Sequence, residues 1–172
     1  MEKEYSDYFS VTRLVIFSIL TSGLYVINWI YRNWWYIKKY TKRNISPGWR
    51  TVGLFVPIYG IYLVYDQFRS IINLVNKNGI KTEWSPGWLA FWFIVLGVII
   101  TQIYFRLPEE YNILFDIVLT FIAIIPLIPI QNYLNSYWSR TQKSLPIRRN
   151  FTTGEIIWII IGVLLWVIML FV

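Results

Sequence analysis

The sequence predicts an all-α integral membrane protein with four transmembrane helices and one short Pro/Gly-broken segment that is re-entrant or half-inserted. Three observations predict it. Of 172 residues, 56% are apolar, 20% aromatic and only 15% charged, against about 25% charged in a soluble domain. Four uninterrupted apolar runs, Leu14–Tyr31, Trp88–Phe105, Tyr111–Ile130 and Ile156–Val172, match the roughly 17–25 residues that cross about 30 Å of hydrocarbon. The 16 Lys and Arg residues can be sorted almost entirely to one side of a membrane, and their placement in short loops is the main determinant of orientation. At this length the chain is expected to form a single multi-pass domain over residues 1–172.

Each element has a local reason. Met1–Arg13 is polar and acidic, and the apolar run after it leads to Arg32 and Trp34 instead of a small-residue cleavage site. A first span over 14–31 is therefore expected, and a cleaved signal peptide is not. Ser46-Pro47-Gly48-Trp49 and Ser85-Pro86-Gly87-Trp88 repeat one tetrapeptide, each opening an apolar run. Ser suits the N-cap, Pro the first helical position and Trp the interface. Thr51–Tyr65 is short and holds Gly53, Pro57 and Gly60, and Pro removes a backbone donor and clashes with the preceding turn. The second span, 88–105, follows. Pro108-Glu109-Glu110 places acids at the positive end of the third, 111–130, where they favour the helix. Pro126 and Pro129 should bend its far end. Gln131–Lys143 is amphipathic and is expected to lie along the surface. Thr152 with Glu155 forms a capping box for the last span, 156–172.

Two threadings are open. If all five apolar runs cross, seven Lys/Arg face one side and nine the other, so neither orientation is favoured. If 51–65 enters and leaves on one side, thirteen basic residues become cytoplasmic and only Lys3, Arg13 and Arg106 stay outside, together with both termini. Broken backbone at membrane depth is tolerated where protein or a wet cavity covers it.

The candidate functional surface is basic and aromatic. Arg32, Lys38, Lys39, Lys42, Arg43, Arg140, Lys143, Arg148 and Arg149 interleave with Trp34, Trp35 and Trp138 near the inner interface. Anionic headgroups are the natural counter-charge, at roughly 1 kcal/mol per basic residue. Much of the same pattern follows from positive-inside topology and an aromatic belt, to which Trp29, Tyr36, Tyr133 and Tyr137 would also belong. Membrane lipid, a membrane-protein partner or a second copy of the chain are the expected partners. Nucleic acid is not, because the charges flank apolar spans and no recognition module accompanies them. Asp116 is the carboxylate well inside a full span, and Arg13 enters from the same side, so an Arg13–Asp116 pair is a candidate; charge within a span is costly and points to function by default. Asp66 and Arg69 are spaced to pair along one helix. Asn28, Asn132 and Asn135 can hydrogen-bond between helices.

The chain has no Cys and no His, which excludes thiolate chemistry and removes the commonest general base and metal ligand. No metal-ligand spacing, phosphate-cradling glycine loop or paired in-membrane carboxylates appear, so neither cofactor nor enzyme activity is expected.

Thr21-Ser22-Gly23-Leu24-Tyr25, continuing through Asn28-Trp29-Ile30-Tyr31-Arg32-Asn33-Trp34, together with Ile45-Ser46-Pro47-Gly48-Trp49-Arg50 and Pro126–Asn135, resembles a prokaryotic membrane-protein family called domain of unknown function 4234, over about residues 10–140. The resemblance implies a small multi-pass protein in the plasma membrane of a bacterium or archaeon. It implies no reaction, substrate or catalytic residue. The expected role is a non-catalytic accessory or scaffold component that binds a membrane partner or lipid. The alternative is a transporter or channel component for a small solute or ion, with Asp116 and the Pro57 break near the path.

Overall fold

The computed structural model describes residues 4–106 and 113–171. Lys3, Val172 and the Pro108-Glu109-Glu110 helix start lie outside them. Among the described residues the chain is all-helical: α1 (Val11–Leu20), α2 (Tyr25–Thr41), α3 (Pro47–Val52), a 3-10 turn (Gly53–Phe55), α4 (Pro57–Lys77), α5 (Pro86–Tyr104), α6 (Ile113–Ile124), α7 (Leu127–Thr141) and α8 (Thr153–Phe171).

The helix starts follow the sequence signals. Ser46 and Ser85 accept hydrogen bonds from the Trp49 and Trp88 amides (3.4 and 3.2 Å), with Pro47 and Pro86 at the first helical positions. Thr152 and Glu155 bond reciprocally, Glu155 N–H to Thr152 Oγ1 at 3.1 Å and Thr152 N–H to Glu155 Oε2 at 2.7 Å. Such caps supply partners to amides that the first helical turn leaves without one.

The expected first span does not form. Leu14–Tyr31 is broken at Thr21–Leu24, where α1 ends in a Schellman turn: Gly23 N–H donates to Ser18 O (2.7 Å) and Ser22 N–H to Ile19 O (3.1 Å). Ser22 and Gly23 both take positive φ, 46° and 89°, a conformation that glycine adopts without strain. Thr21 Oγ1 donates to Phe17 O (2.7 Å) and accepts from Tyr25 N–H (2.9 Å), so one hydroxyl closes α1 and opens α2. The two helices form a hairpin, with Phe17 against Tyr25 at 5.0 Å between rings.

The broken segment 51–65 also divides differently. Its break lies at Gly53–Val56, and Pro57 opens α4, which runs unbroken to Lys77. Gly60 permits the corner, because a Cβ there would collide with the Leu54 carbonyl oxygen. Asp66 pairs with Arg43 (3.2 Å) and Arg50, which fastens the connection back onto α4; Arg69, its expected partner, is exposed. Burial alone would raise the Asp66 carboxyl, but the hydrogen bonds and charges of the two arginines outweigh it and hold it below the usual range.

Two layers result. Buried positions recur at helical spacing on α2 (Trp29, Ile30, Asn33, Trp34, Ile37), α4 (Leu63, Val64, Gln67, Phe68, Ile71) and α7 (Ile130, Gln131, Leu134, Asn135, Trp138), so each presents one apolar stripe to a shared core. Gln131–Lys143 therefore does not lie along a surface: its apolar face packs into the protein. The aromatic belt divides likewise. Trp29, Trp34 and Trp138 are fully buried, whereas Trp35, Trp49, Trp84 and Trp88 are exposed. The other helices, α5, α6 and α8, are mostly apolar, with Asp116, Thr120 and Glu155 buried among them. Only 17% of the apolar stretch of α5 is buried, and α6 and α8 expose Phe121, Ile157, Leu164 and Ile168. Where α8 crosses the end of α1 the backbones nearly touch: a Cβ on Gly162 would sit 2.7 Å from Leu20 O.

By length and composition, α5 alone among the described residues can cross a membrane. The pair α6 and α7, bent by 56° at Ile125–Pro126, passes the same test together, while α1 and Thr153–Ile168 of α8 are apolar but shorter. The bend expected at Pro126 and Pro129 is present. Among the described residues this test shows one span, or two if the bent pair is one, not the four expected.

Candidate functional site

A cavity of about 350 Å³ lies where the N-terminal segment, α1, α2 and the start of α8 meet. Residues Glu4–Ser10 have no helical structure and are strapped along the bundle by side-chain amides. Gln131 is the main fastening. Its Oε1 accepts from the Trp29 indole (2.7 Å), and its Nε2 donates to Phe9 O (2.9 Å) and Asn135 Oδ1 (3.0 Å). Asn135 Oδ1 in turn accepts from Phe9 N–H at 3.3 Å. Gln142 secures the strap further along: its Oε1 accepts from Ser6 Oγ (2.9 Å) and Asp7 N–H (2.8 Å), while its Nε2 donates to Asp7 Oδ2 (3.0 Å) and the Tyr40 hydroxyl (2.9 Å).

This strap revises the expected threading. Arg13 was placed across the bilayer from the basic loops, yet it pairs with Glu155 (3.1 Å), donates to Arg149 O and stacks on Phe151 at 5.2 Å. Ser6 N–H donates to Pro146 O at 3.1 Å. The N-terminal segment thus shares an end with the basic residues. Arg13 and Asp116 are not brought together. Asp116, 2% exposed, instead accepts from Ser22 Oγ (3.0 Å) and from the Tyr104 hydroxyl.

The nine expected basic residues separate by environment. Arg32 and Arg148 line the cavity. Arg32 donates to the Tyr25 and Tyr36 hydroxyls (3.2 and 3.4 Å) and lies over the Phe9 ring at 4.2 Å; Arg148 lies over Tyr5 at 4.5 Å. Lys39 pairs with Asp7 (3.7 Å) and sits 4.9 Å from the Trp35 ring. Arg43 serves Asp66, and Arg140 donates to Gly79 O at 3.1 Å, which ties α7 to the end of α4. Lys38, Lys42, Lys143 and Arg149 have exposed side chains. Trp34 and Trp138 belong to the core and Trp35 to the surface. Of the amides singled out for inter-helix bonds, Asn135 bonds Gln131 on its own helix and Phe9 in the strap, Asn28 lines the cavity and Asn132 is exposed. Gln131 and Gln142 were missed, although a glutamine at a helical spacing shared with Ile130, Leu134 and Trp138 marks a polar group on a buried face.

A second, apolar cleft of about 610 Å³ lies between the α1–α2 turn, α5 and α6, with Ser22, Gly97, Thr101 and Tyr104 among its walls. Pro57 is not among them. Among the described residues, no three His, Cys, Asp or Glu side chains gather as metal ligands.

Replacing Gln131 by Leu leaves the Trp29 indole N–H and the Phe9 carbonyl buried without partners, at about 1–3 kcal/mol each. Unfolding in mild detergent should show a loss of about 2–6 kcal/mol and faster proteolysis within residues 4–10, whereas Asn132→Leu should change neither.

No family model, curated protein or solved structure matches the chain.

Proposed function

We propose that this is a small multi-pass membrane protein without catalytic activity, an accessory or scaffold component whose basic end holds anionic lipid. The observation that supports this best is the division of its surface. Apolar side chains stand bare along α5, α6 and α8, as on a surface that meets a membrane or a partner, while Lys38, Lys42, Lys143 and Arg149 are exposed around the strapped N-terminus. In this reading α5, the bent α6–α7 pair and α8 cross the bilayer. The α1–α2 hairpin and the α3–α4 corner enter and return. The N-terminus and basic loops share the cytoplasmic side, with Arg106 and the C-terminus opposite. Membership of the domain of unknown function 4234 family, and with it a prokaryotic plasma membrane, is part of the proposal and rests on the sequence blocks alone. Those blocks have structural work in this fold: Thr21–Tyr25 is the hairpin turn, and Trp29 and Gln131 bond to each other.

Single-cysteine variants of this cysteine-free chain test the threading: Glu4→Cys and Lys143→Cys should label from one side of sealed vesicles and Arg106→Cys from the other. Labelling of Glu4→Cys and Arg106→Cys from the same side would overturn it. For the lipid role, the reconstituted protein should melt several degrees higher in bilayers with about one-third anionic lipid than in zwitterionic ones. High salt should erase the difference, since charge attraction at the surface is screened within about 10 Å at 0.1 M. Equal melting in both bilayers would remove the lipid role.

The buried Asp116 beside the apolar cleft favours a second reading, a component of a solute or ion path. Proton or cation flux into proteoliposomes that falls at least tenfold in Asp116→Asn would support it, and absence of flux in the unaltered protein would end it.

A further inference from the structure

The strapped cavity holds more positive charge than its own acids can balance. Three guanidinium groups line it, those of Arg13, Arg32 and Arg148, against two carboxylates, Asp7 and Glu155. Both carboxylates are already engaged. Glu155 takes Arg13 at 3.1 Å and its own cap amide at 2.7 Å. Asp7 takes Lys39 (3.7 Å), Gln142 and the Tyr40 hydroxyl. Among the described residues, no carboxylate lies within ion-pair distance of Arg32 or Arg148.

Arg32 is the informative one. It is largely enclosed, and its protein partners are two neutral hydroxyls and the face of Phe9. Hydroxyls and ring faces ease the burial of a cation without cancelling its charge, and an uncompensated buried charge is costly. A guanidinium carries five N–H donors in a rigid fork suited to planar or tetrahedral oxyanions. Two of them are used here. The cavity is held open by the strap, whose position Gln131 and Gln142 fix, so its walls are preorganised. Its volume falls within the range of small-ligand sites, about 300–1,000 Å³.

We infer that this cavity binds a phosphate group, with Arg32 as its principal ligand and Arg148 closing over it from the loop before α8. The aromatic walls, Tyr8, Tyr25 and Trp158 among them, suit the carbon portion of a phosphate ester. The phosphate belongs to a phospholipid headgroup or to a soluble phosphate ester. The fold favours the first source: the cavity lies at the starts of α1 and α8, where exposed Ile16, Ile156 and Ile157 begin an apolar face along which acyl chains can lie. In that form the inference rests on the lipid-binding role proposed above and names its specific site.

The full chain in detergent is examined by native mass spectrometry with phosphatidylglycerol and with phosphatidylcholine, and by calorimetry with inorganic phosphate and glycerol 3-phosphate. The unaltered protein should retain one phosphatidylglycerol per chain. Arg32→Gln should weaken that binding about tenfold or more, as loss of a charged hydrogen bond does. Arg148→Gln should weaken it severalfold. Arg106→Gln, outside both the cavity and the basic end, should bind within about twofold of the unaltered protein, while a Lys38→Gln/Lys143→Gln double variant reports on the basic end itself. Binding of phosphate or its ester that depends on Arg32 and is not displaced by phosphatidylglycerol would uphold the site and assign a soluble ligand. The inference is overturned if the unaltered chain binds none of these probes, or if folded Arg32→Gln binds them as the unaltered chain does. Should Arg32→Gln not fold, unchanged binding by Arg148→Gln overturns it. Bilayer stabilisation that fades in the Lys38/Lys143 variant but not in Arg32→Gln or Arg148→Gln removes the site and leaves the general lipid role. Arg32-dependent phosphate binding without any bilayer effect does the reverse.

Discussion

One carboxamide joins parts of this molecule that lie more than a hundred positions apart in the sequence. Gln131, 3% exposed, bonds to the Trp29 indole on α2, to the backbone of Phe9 in the N-terminal strap and to Asn135 on its own helix. A buried amide is stabilising only when its lone pairs and N–H groups are used, and costly when they are not. Here Oε1 has a donor and Nε2 has two acceptors, so the strap, α2 and α7 stand in one register. Phe9 is thereby fixed over the Arg32 guanidinium. The cavity is a consequence of that register, since one of its walls is the strap.

The two layers follow from how each helix meets its apolar surroundings. Helices α2, α4 and α7 carry a single buried stripe and pack on one another, with aromatic contacts such as Trp29 on Phe68 at 6.5 Å and Tyr40 on Trp138 at 4.8 Å. Helices α5 and α8 bury few of their side chains, and the buried stripe of α6 carries Asp116 and Thr120. In the proposed bilayer their exposed faces meet lipid, which is as apolar as the core, so attraction between them depends on close packing instead of on expulsion of water. Gly162 against Leu20 O is that kind of contact: the missing Cβ lets α8 approach the end of α1, and any larger residue would force the backbones apart. The Schellman turn beside it has the same economy of volume, turning the chain within four small or uncharged residues.

Signals that act within a few residues were legible in the sequence. Both Ser-Pro-Gly-Trp tetrapeptides start helices, Thr152 and Glu155 cap α8, and the Pro126 region bends. Hydropathy identified the apolar character of α5 and α8 for the same reason. It failed at Thr21–Leu24, because Thr, Ser, Gly and Leu do not interrupt an apolar run even when their backbone turns. It failed again at Gln131–Lys143, since an amphipathic stripe looks alike whether it faces a membrane or two other helices. Aromatic residues were similarly ambiguous: Trp34 and Trp35 are adjacent in sequence, yet one is wholly buried and the other 43% exposed. Charge pairing was the least readable. Arg13 and Glu155 are 142 positions apart, and nothing local distinguishes that pairing from the expected one with Asp116. The strap, invisible to composition, is what brings Arg13 to Glu155 and thereby moves the N-terminus to the basic end.

Charge sorting and charge burial are separate constraints, and only the first is explained by topology. A bias of Lys and Arg to one side of a membrane needs them in loops, wet and interchangeable, as Lys38, Lys143 and Arg149 are. It gives no reason to fold a guanidinium inward beneath a phenyl ring with two tyrosine hydroxyls as its polar partners. It also gives no reason to spend Gln131, Asn135 and Gln142 on holding a strap across that group. Nor is Arg32 positioned to support the fold as Arg43 and Arg50 do, since those two close on a carboxylate that needs them. A part-buried cation without an internal counter-charge is stabilised most by an anion that arrives from outside. The walls around Arg32 are arranged to receive one.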